Sequence, residues 1–355
     1  MRTDVIAPGA VIIGAGGFIG RPLTRALSAA HVEVEAYTRE RRFARGTELA
    51  PPLRNAAVLF YLATSIHPAL GERHPEWAAA DHWQFAGLLR ELAALESPPT
   101  VVLTSSGGTV YDSSAAPPYT ERSPTRATSL YGAAKIAMEE ELADYAGAIP
   151  GVILRLSNVY GPGQRTGKNQ GVLAYWLQAA AQGAVLPVVG DPANTRDYVY
   201  IDDLTVCLEL VYTAVKDRAG LADHEPLILN VGSGTGTSLA ELVQIVQQVV
   251  GRELAAEQLP SRRIDRSHVW LDCGRAQQVL GWRPRTRLID GVSAMWREFA
   301  DTSGRRPQAP AEPRPAAATP GAMDPRSGFD PDLSRSARRT SIPDPSRSQN
   351  SKRTR

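Results

Sequence analysis

The stretch Val11-Ile-Ile-Gly-Ala-Gly-Gly-Phe-Ile-Gly20 decides the fold of this chain. Its apolar residues predict a buried strand, and its glycines lead into a helical pattern from Arg21 to Ala30. In this context a glycine turn brings the backbone N–H groups of a helix N-terminus close to a pyrophosphate, whose negative charge the helix dipole favours. We therefore expect a dinucleotide site formed by Gly14, Gly17, Phe18, Ile19 and Gly20.

Further apolar runs follow at intervals that helical patterns separate. The predicted strands are Val11–Ile13, Val32–Tyr37, Val58–Leu62, Thr100–Thr104 and Val152–Leu156, and the clearest helical patterns between them are Ala78–Leu95 and Leu130–Ala146. This alternation predicts an α/β fold, a Rossmann-type doubly wound parallel sheet with helices on both faces. Ligands of such sheets bind beyond the carboxyl ends of the strands. Beyond the sheet, helices are predicted at Val172–Gln182 and Ser238–Gly251.

Tyr131 and Lys135 lie one helical turn apart in Ser129-Leu-Tyr-Gly-Ala-Ala-Lys135. Side chains four residues apart on a helix project from the same face. A tyrosine serves as a base near neutral pH only when its pKa is lowered from about 10, and a neighbouring ammonium has that effect. The ammonium would also donate hydrogen bonds to a bound ribose. The pair therefore indicates hydride chemistry at a sugar carbon, with Tyr131 as the proton acceptor.

With these motifs, the chain resembles the extended short-chain dehydrogenase/reductase family, in its NAD-dependent epimerase/dehydratase branch. The resemblance runs from about Ala10 to Phe299. Its further motifs are Leu62-Ala63, Ser105-Ser-Gly-Gly-Thr-Val-Tyr111, Leu154-Arg-Leu-Ser-Asn-Val-Tyr-Gly-Pro-Gly-Gln164, Gly190-Asp191, Arg196-Asp-Tyr-Val-Tyr-Ile-Asp-Asp203, Asn230-Val-Gly-Ser-Gly234 and Leu280-Gly-Trp-Arg-Pro284. The resemblance implies one unit over residues 8–301.

Within that unit, the resemblance implies a dinucleotide-binding part over residues 8–161 and a smaller mixed substrate-binding part over 162–301. The smaller part is expected to be discontinuous, because segments near Tyr198–Tyr212 and Leu227–Asn230 are predicted to return to the main sheet. The helices around 78–95 and 130–146 resemble the pair that dimerises in this family. We therefore expect a homodimer.

The function that the resemblance implies is an NAD(P)-dependent nucleotide-sugar 4-epimerase, acting on a UDP-hexose-like substrate through a 4-keto intermediate. A nucleotide-sugar 4-ketoreductase is the alternative within the family. A dehydratase is disfavoured, because the resembled 4,6-dehydratases carry an Asp-Glu pair where this chain has Gly107-Gly108. An alternative of another class is a non-catalytic dinucleotide sensor or scaffold. Intact Tyr131 and Lys135 favour an enzyme.

The hydroxyl that should share the substrate oxygen with Tyr131 is displaced in this chain. In the resembled enzymes a Ser or Thr stands four residues before the tyrosine of the Val-Tyr motif, and here that place is Gly107. Ser106 lies one position earlier and Thr109 two positions later. We expect one of these two to supply the catalytic hydroxyl, with Ser106 favoured.

The adenosine end of the predicted cofactor site departs from the family pattern. Leu62 and Ala63 follow a strand and are expected to contact the dinucleotide. An acidic residue normally ends the second strand and accepts hydrogen bonds from the ribose 2′-hydroxyl. This chain has Thr38 in that place, followed by Arg39-Glu-Arg-Arg42, which suits a 2′-phosphate. NAD is the cofactor that the family implies, and NADP stays open.

On the substrate side, motif position implies contacts with a nucleotide diphosphate. Asn158 would donate its amide to a phosphate oxygen, and the guanidinium groups of Arg196 and Arg262 would form fork-like contacts with the diphosphate. Arg262 is ambiguous with its neighbour Arg263. Family position also implies that Val269 lines the sugar pocket.

Composition agrees with a soluble enzyme. The chain has 355 residues, of which 43% are hydrophobic and 21% are charged, enough for a sizeable α/β core. Its two cysteines and six histidines lack the spacing of metal ligands, so no metal is expected. No apolar run reaches the roughly 18 residues of a transmembrane helix, and the first residues lack the apolar core of a signal peptide. We expect a cytoplasmic protein.

Composition changes near Thr302. Residues 302–355 are rich in Pro, Ser, Arg and Ala, and hold 11 Lys and Arg against 5 Asp and Glu. A segment without apolar periodicity cannot bury enough surface to offset its ordering entropy, so this tail is predicted to be disordered. The rest of the chain has 28 basic and 32 acidic residues. The basic tail either contacts an acidic partner or is a solvated extension.

Overall fold

A computed structural model describes residues 9–45, 48–164, 171–217, 225–262 and 265–302 of the protein. The strands are β1 Ala10–Ile13, β2 Val34–Tyr37, β3 Ala44–Arg45, β4 Glu48–Leu49, β5 Val58–Tyr61, β6 Thr100–Ser106, β7 Gly151–Leu156, β8 Asn158–Tyr160, β9 Leu186–Val189, β10 Thr195–Arg196, β11 Tyr198–Tyr200, β12 Leu227–Val231, β13 Thr237–Ser238, β14 Ala256–Leu259 and β15 His268–Val269. The helices are α1 Gly20–Ala29, α2 Pro51–Asn55, α3 Pro68–Gly71, α4 Pro75–Ala93, α5 Leu130–Asp144, α6 Val172–Gln182, α7 Ile201–Asp217, α8 Leu239–Val250, α9 Gly274–Leu280 and α10 Leu288–Thr302.

The predicted Rossmann-type sheet is confirmed. Six strands pair in the order β12-β7-β6-β5-β1-β2, and every pairing in this sheet is parallel. All residues of β1, β5 and β7 are buried, which explains their continuous apolar runs, since a parallel sheet is covered on both faces. The chain steps from β1 to β2 on one side and then returns to β5 on the other. The switch point between β1 and β5 is where such sheets bind ligands.

Two apolar layers cover the sheet. On one face, Leu23 and Leu27 of α1 and Leu208 of α7 pack with strand residues in one buried cluster. On the other face, leucines of α4 and Met138 and Leu142 of α5 form a second cluster. Helix α5, which carries Tyr131 and Lys135, is thereby fixed directly against the sheet.

A third apolar cluster joins the elements that follow the first seven strands. Trp176 and Leu177 of α6, Leu242 of α8 and Met295 of α10 pack together with residues of β9. Ser238 begins α8 with a capping box, in which its hydroxyl accepts from the Glu241 N–H and Glu241 accepts from the Ser238 backbone. This part of the structure supplies Arg196 and Arg262 to the site described below.

Most predicted elements are found with their ends shifted by a few residues. The second strand begins at Val34 rather than Val32, because the chain turns at His31, whose φ of 57° lies in the left-handed region. Leu227–Asn230 does return to the main sheet, as β12 beside β7. The prediction that Tyr198–Tyr212 returns to the main sheet was wrong for the strand in this segment. Tyr198–Tyr200 forms β11, which pairs with β8 in a separate two-stranded sheet. The rest of this segment forms α7, which packs against the main sheet.

The predicted tail at residues 302–355 lies outside the described residues, apart from Thr302 at the end of α10. The division into two parts at residue 161 stays a prediction. Within the described ranges, no helix has both the length and the apolar character needed to cross a membrane.

Candidate active site

A cavity of about 2080 Å³ opens at the carboxyl ends of β1, β5 and β6. Its walls bring together nearly all the site residues that the sequence predicts. Those that line it are Gly14, Gly17, Phe18, Ile19, Gly20, Thr38, Arg39, Leu62, Ala63, Ser106, Thr109, Tyr131, Lys135, Asn158, Arg196 and Arg262.

The glycine turn between β1 and α1 is packed too closely for side chains. A Cβ on Gly20 would stand 2.3 Å from the Gly14 carbonyl oxygen, and one on Gly14 would stand 2.9 Å from the Ala63 nitrogen. Gly14 also has a φ of 96°, which glycine adopts without strain. At the start of α1, the Arg21 N–H donates to the Gly17 carbonyl oxygen at 3.2 Å and the Leu23 N–H to that of Ile19 at 3.3 Å, which joins the helix to this turn. The backbone of the turn is therefore open to close approach by a ligand, and the dinucleotide pyrophosphate at this place stays a prediction.

Thr38 lies beside that turn, at the end of β2. Its Cγ2 is 3.4 Å from where a Cβ on Gly16 would stand, and its hydroxyl donates to Glu40 Oε2 at 2.7 Å. Arg41 pairs with Glu35 and lies over the Tyr37 ring, with its Cζ 5.2 Å from the centroid. Arg39 and Arg42 line the cavity and have no ion-pair partner among the described residues. The adenosine end therefore offers a hydroxyl, one carboxylate and two free guanidinium groups.

Tyr131 stands at the start of α5, where Ser129 caps the helix by accepting from the Gly132 N–H at 3.1 Å. Burial raises the pKa of Tyr131 to about 12, and a hydrogen bond with the Ser106 side chain opposes that rise. The nearby carboxylate of Asp81 raises the pKa further. Ser106, the hydroxyl that the sequence favoured, thus lies on the same cavity wall as Tyr131 and acts on its pKa, and its catalytic role stays a prediction.

Lys135 is buried one turn later, and its Nζ lies 5.9 Å from the Tyr131 ring centroid. Its ammonium donates to the Thr104 carbonyl oxygen at 3.0 Å, which anchors it at the end of β6. Burial lowers the pKa of Lys135 to about 8, while Asp81 and Glu139 favour its charged form. The sequence predicted that this ammonium lowers the pKa of Tyr131, but in the structure burial raises that pKa, and Lys135 is not among the groups that shift it.

Gly107 faces away from the cavity, although its neighbours line it. A Cβ on Gly107 would stand 2.7 Å from Leu271 Cδ1 and 3.2 Å from the Arg155 carbonyl oxygen. Ser106, Gly108 and Thr109 all line the cavity wall. The Thr109 hydroxyl oxygen is buried there without a hydrogen-bond partner in the structure.

The predicted substrate residues have defined contacts. The Asn158 amide donates to the Asp197 carbonyl oxygen at 2.9 Å, so only part of its donor capacity faces the cavity. Arg196 donates to the Thr195 carbonyl oxygen at 2.8 Å and to that of Ser267 at 3.3 Å. Arg262 forms an ion pair with Asp265, with 2.9 Å between Nη2 and Oδ1. Arg263, the alternative to Arg262, lies outside the described residues.

Val269 is the predicted site residue that the structure does not place on the cavity wall. It lies in β15, opposite Arg196 of β10, and is buried in a cluster with Val110, Tyr111 and Leu271. Its strand turns this side chain inward, toward the Tyr111 ring system. The neighbouring residue that does line the cavity is Arg266, which sequence reasoning missed.

A buried ion pair joins α5 to β7, and the sequence did not predict it. Arg155 of β7 donates to Glu139 of α5 through Nη2 at 2.6 Å and Nε at 3.0 Å, with 6% and 7% of the two side chains exposed. The Ser105 hydroxyl donates to the same carboxylate, and Arg155 Cζ lies 4.9 Å from the Tyr111 ring centroid. Glu139 follows Lys135 by four residues. That spacing, together with an arginine inside an apolar strand, is the pattern from which the ion pair could have been predicted.

Comparisons with known proteins agree with this geometry. The model of the NAD dependent epimerase/dehydratase family matches residues 10–232. The UDP-glucose 4-epimerase of Mycolicibacterium smegmatis is 33% identical over 248 residues, which are 69% of this chain and 77% of that protein. The dTDP-6-deoxy-L-talose 4-dehydrogenase (NAD(P)(+)) of Kitasatospora kifunensis is 32% identical over 320 residues, covering 83% of this chain and 97% of that one.

Solved structures share the fold. The UDP-glucose 4-epimerase of Thermotoga maritima with UDP-glucose superposes with a TM-score of 0.72 and 24% identity, over 82% of this chain and 99% of that chain. The matched family model spans the glycine turn, the Tyr131 and Lys135 pair and the strand β12. The protein is therefore an enzyme of the NAD-dependent epimerase/dehydratase family.

Proposed function

We propose that the protein is a nucleotide-sugar 4-epimerase that uses NAD and acts through a 4-keto intermediate. The observation that carries the proposal is that Tyr131, Ser106 and the buried ammonium of Lys135 line one cavity with the glycine turn. A proton acceptor and a dinucleotide site thereby face the same space.

In this proposal the residues of the chain act on the sugar 4-hydroxyl. Ser106 shares that oxygen with Tyr131 and fixes its position, and Tyr131 removes its proton. The positive charge of Lys135 stabilises the tyrosinate, and its ammonium holds the ribose of the cofactor. A bound nicotinamide would accept hydride from the same carbon and later return it. Rotation of the 4-keto sugar before hydride returns would give the opposite epimer.

A ketoreductase is the second candidate, and the adenosine end of the cavity favours it. Arg39 and Arg42 are free to meet a 2′-phosphate, which would suit NADP. The relative from Kitasatospora kifunensis, which aligns over 97% of its own length, is named as a 4-dehydrogenase that uses either dinucleotide. In a reductase the same Tyr131 would donate a proton to the 4-keto oxygen.

The arrangement of α4 and α5 supports a homodimer formed through these helices. They pack against each other, and α4 leaves Trp77 and Trp83 exposed, the latter by 75%. We also propose a cytoplasmic location, because nucleotide sugars and dinucleotides are substrates of the cell interior and both cysteines, Cys207 and Cys273, are free thiols. A contact between the basic tail and an acidic partner stays a prediction.

The test is turnover by the full chain with UDP- and dTDP-hexoses, followed by separation of the epimers, and with 4-keto sugars plus NADH or NADPH. Tyr131→Phe should lower the rate roughly 10²–10⁴-fold while dinucleotide binding, measured by nicotinamide fluorescence, stays unchanged. Interconversion of epimers without added cofactor supports the epimerase, and consumption of reduced cofactor supports the reductase. A chain that binds dinucleotide but converts no nucleotide sugar would be the non-catalytic sensor instead.

A further inference from the structure

Arg266 is a buried cation without an acidic partner among the described residues. Only 8% of it is exposed, yet it lines the cavity. Its Nη2 donates to the Tyr119 hydroxyl at 2.9 Å and its Nη1 to the Gly108 carbonyl oxygen at 3.3 Å. Its Nε is buried and has no hydrogen-bond partner in the part of the chain that the structure describes. The guanidinium therefore retains both an unused donor and an uncompensated charge.

The two nearest candidates for neutralising Arg266 are otherwise engaged. Asp112 carries the carboxylate that favours the charged form of Arg266. It forms an ion pair with Arg126, with 3.1 Å between Nε and Oδ2. Asp265, adjacent in sequence, is held by Arg262. Burying a charge is costly unless it is paired, so an anion bound in the cavity would offset part of the cost of burying Arg266.

The position of Arg266 is set by a stack of rings. Its Cζ lies 5.2 Å from the Tyr119 ring centroid, and Tyr119 stacks on Tyr111 with 5.1 Å between centroids. The Tyr111 hydroxyl donates to Asn230 Oδ1 at 2.6 Å. The guanidinium is thus a fixed group of the cavity wall rather than a mobile surface side chain.

Arg266 reaches the reacting end of the cavity. Gly108, which accepts its hydrogen bond, lies in the turn between Ser106 and Thr109, and a Cβ on Gly108 would stand 3.9 Å from Ser106 Oγ. The Thr109 hydroxyl oxygen, also buried without a partner, belongs to the same turn. Arg196, by contrast, is held by the carbonyl oxygens of Thr195 and Ser267. Two unsatisfied groups therefore flank the place where the sugar would react.

We propose that Arg266 and Thr109 form a subsite for a carboxylate on the sugar ring, so that the preferred substrate is a nucleotide-linked uronic acid. This inference rests on the proposed function, which places the sugar C4 at Tyr131. The C6 carboxylate of a hexuronic acid is attached to the carbon next to C4, and it offers a negative charge together with planar acceptors for a guanidinium. A neutral hydroxymethyl group would leave the buried charge of Arg266 uncompensated.

The experiment is calorimetric binding of UDP, UDP-glucose and UDP-glucuronate to the full chain loaded with dinucleotide. We expect the wild type to bind UDP-glucuronate about 10- to 100-fold more tightly than UDP-glucose. Arg266→Gln should abolish that preference and change the affinity for UDP by less than about threefold. Arg266→Lys, which keeps the charge, should retain part of it. Arg287→Gln, an exposed arginine paired with Asp290, is the matched control and should behave as wild type.

Two results would overturn the inference. One is a wild type that binds UDP-glucuronate no more tightly than UDP-glucose, a measurement that needs no variant and so does not depend on folding of Arg266→Gln. The other is equal weakening of UDP and UDP-glucuronate in Arg266→Gln, which would assign Arg266 to the diphosphate. In both cases turnover of another nucleotide sugar would leave the proposed function standing. Failure to bind all three ligands would instead remove the nucleotide-sugar function itself.

Discussion

Gly107 lies directly against Leu271, whose Cδ1 and Cδ2 would stand 2.7 and 2.8 Å from a Cβ at position 107. Leu271 is 1% exposed and packs with Tyr111 and Tyr119, so it has little room to move. We expect Gly107→Ser to place its hydroxyl in this apolar cluster, to lower the free energy of unfolding by about 1–3 kcal/mol, and to give no gain in turnover. Urea unfolding and the epimer assay measure the two effects.

Gly108→Ala is the matched control for stability, because its nearest contact would be Ser106 Oγ at 3.9 Å. It should unfold at nearly the wild-type urea concentration. A Gly107→Ser enzyme that turns over faster than wild type would mean that the serine side chain reaches Tyr131 after all.

Ser106 and Thr109 should differ in their effect on the rate. The Ser106 side chain opposes the rise in the pKa of Tyr131, whereas the buried Thr109 hydroxyl oxygen has no hydrogen-bond partner among the described residues. We expect Ser106→Ala to lower kcat by roughly 10²-fold or more, and Thr109→Val to act mainly on KM. Steady-state kinetics on the same nucleotide sugar separate the two. The assignment fails if Thr109→Val carries the larger loss in kcat.

Lys135 should set the alkaline limit of activity. Its pKa is lowered to about 8 by burial, so the ammonium is lost as the pH rises through that value. Tyr131, whose pKa burial raises to about 12, then loses the positive charge that lies 5.9 Å from its ring centroid, and its ionised form becomes less favourable. Turnover should therefore rise with pH up to about 8 and fall above it. In Lys135→Arg, which stays charged, the falling limb should move beyond pH of about 10.

A pH–rate profile of both proteins under saturating substrate tests this. Lys135→Arg is expected to be slower throughout, because a guanidinium is larger than the buried ammonium that it replaces. The quantity to compare is therefore the pH at which turnover falls, not the maximal rate. An identical falling limb in both proteins would show that another group titrates there.

The sequence predicted those features that local pattern determines. The glycine turn, five of the six parallel strands and the pair Tyr131 and Lys135 follow from glycine spacing, apolar runs and the four-residue helical repeat, while the sixth strand was expected from the family resemblance. Arg266 could not be predicted in this way, because its unsatisfied Nε depends on where Gly108 and Tyr119 lie, both far away in sequence. Motif position alone likewise predicted Val269 on the cavity wall. In the structure it packs in a buried apolar cluster with Tyr119 instead.

The ion pair between Glu139 and Arg155 should be a major source of stability for α5. Removing one partner of a buried pair leaves the other charge uncompensated, so Glu139→Gln should lower the free energy of unfolding by about 3–5 kcal/mol. The double variant Glu139→Met/Arg155→Met removes both charges and should be less destabilised than the single variant. Urea denaturation of the three proteins gives the comparison. Additive losses in the double variant would contradict this account of the pair.

Arg39 and Arg42 should decide how well the enzyme accepts NADP. Arg41 already pairs with Glu35 and lies over Tyr37, whereas Arg39 and Arg42 line the cavity near Thr38 without an ion-pair partner in the described part of the chain. We expect NADPH to bind within about tenfold of NADH, and Arg39→Ala/Arg42→Ala to weaken NADPH roughly 10- to 100-fold while NADH changes little. Nicotinamide fluorescence titrations measure both affinities without turnover. Arg41→Ala is the matched control and should leave the ratio of the NADPH and NADH affinities unchanged. An equal loss for both dinucleotides in the double variant would place Arg39 and Arg42 at the pyrophosphate or at the protein surface instead.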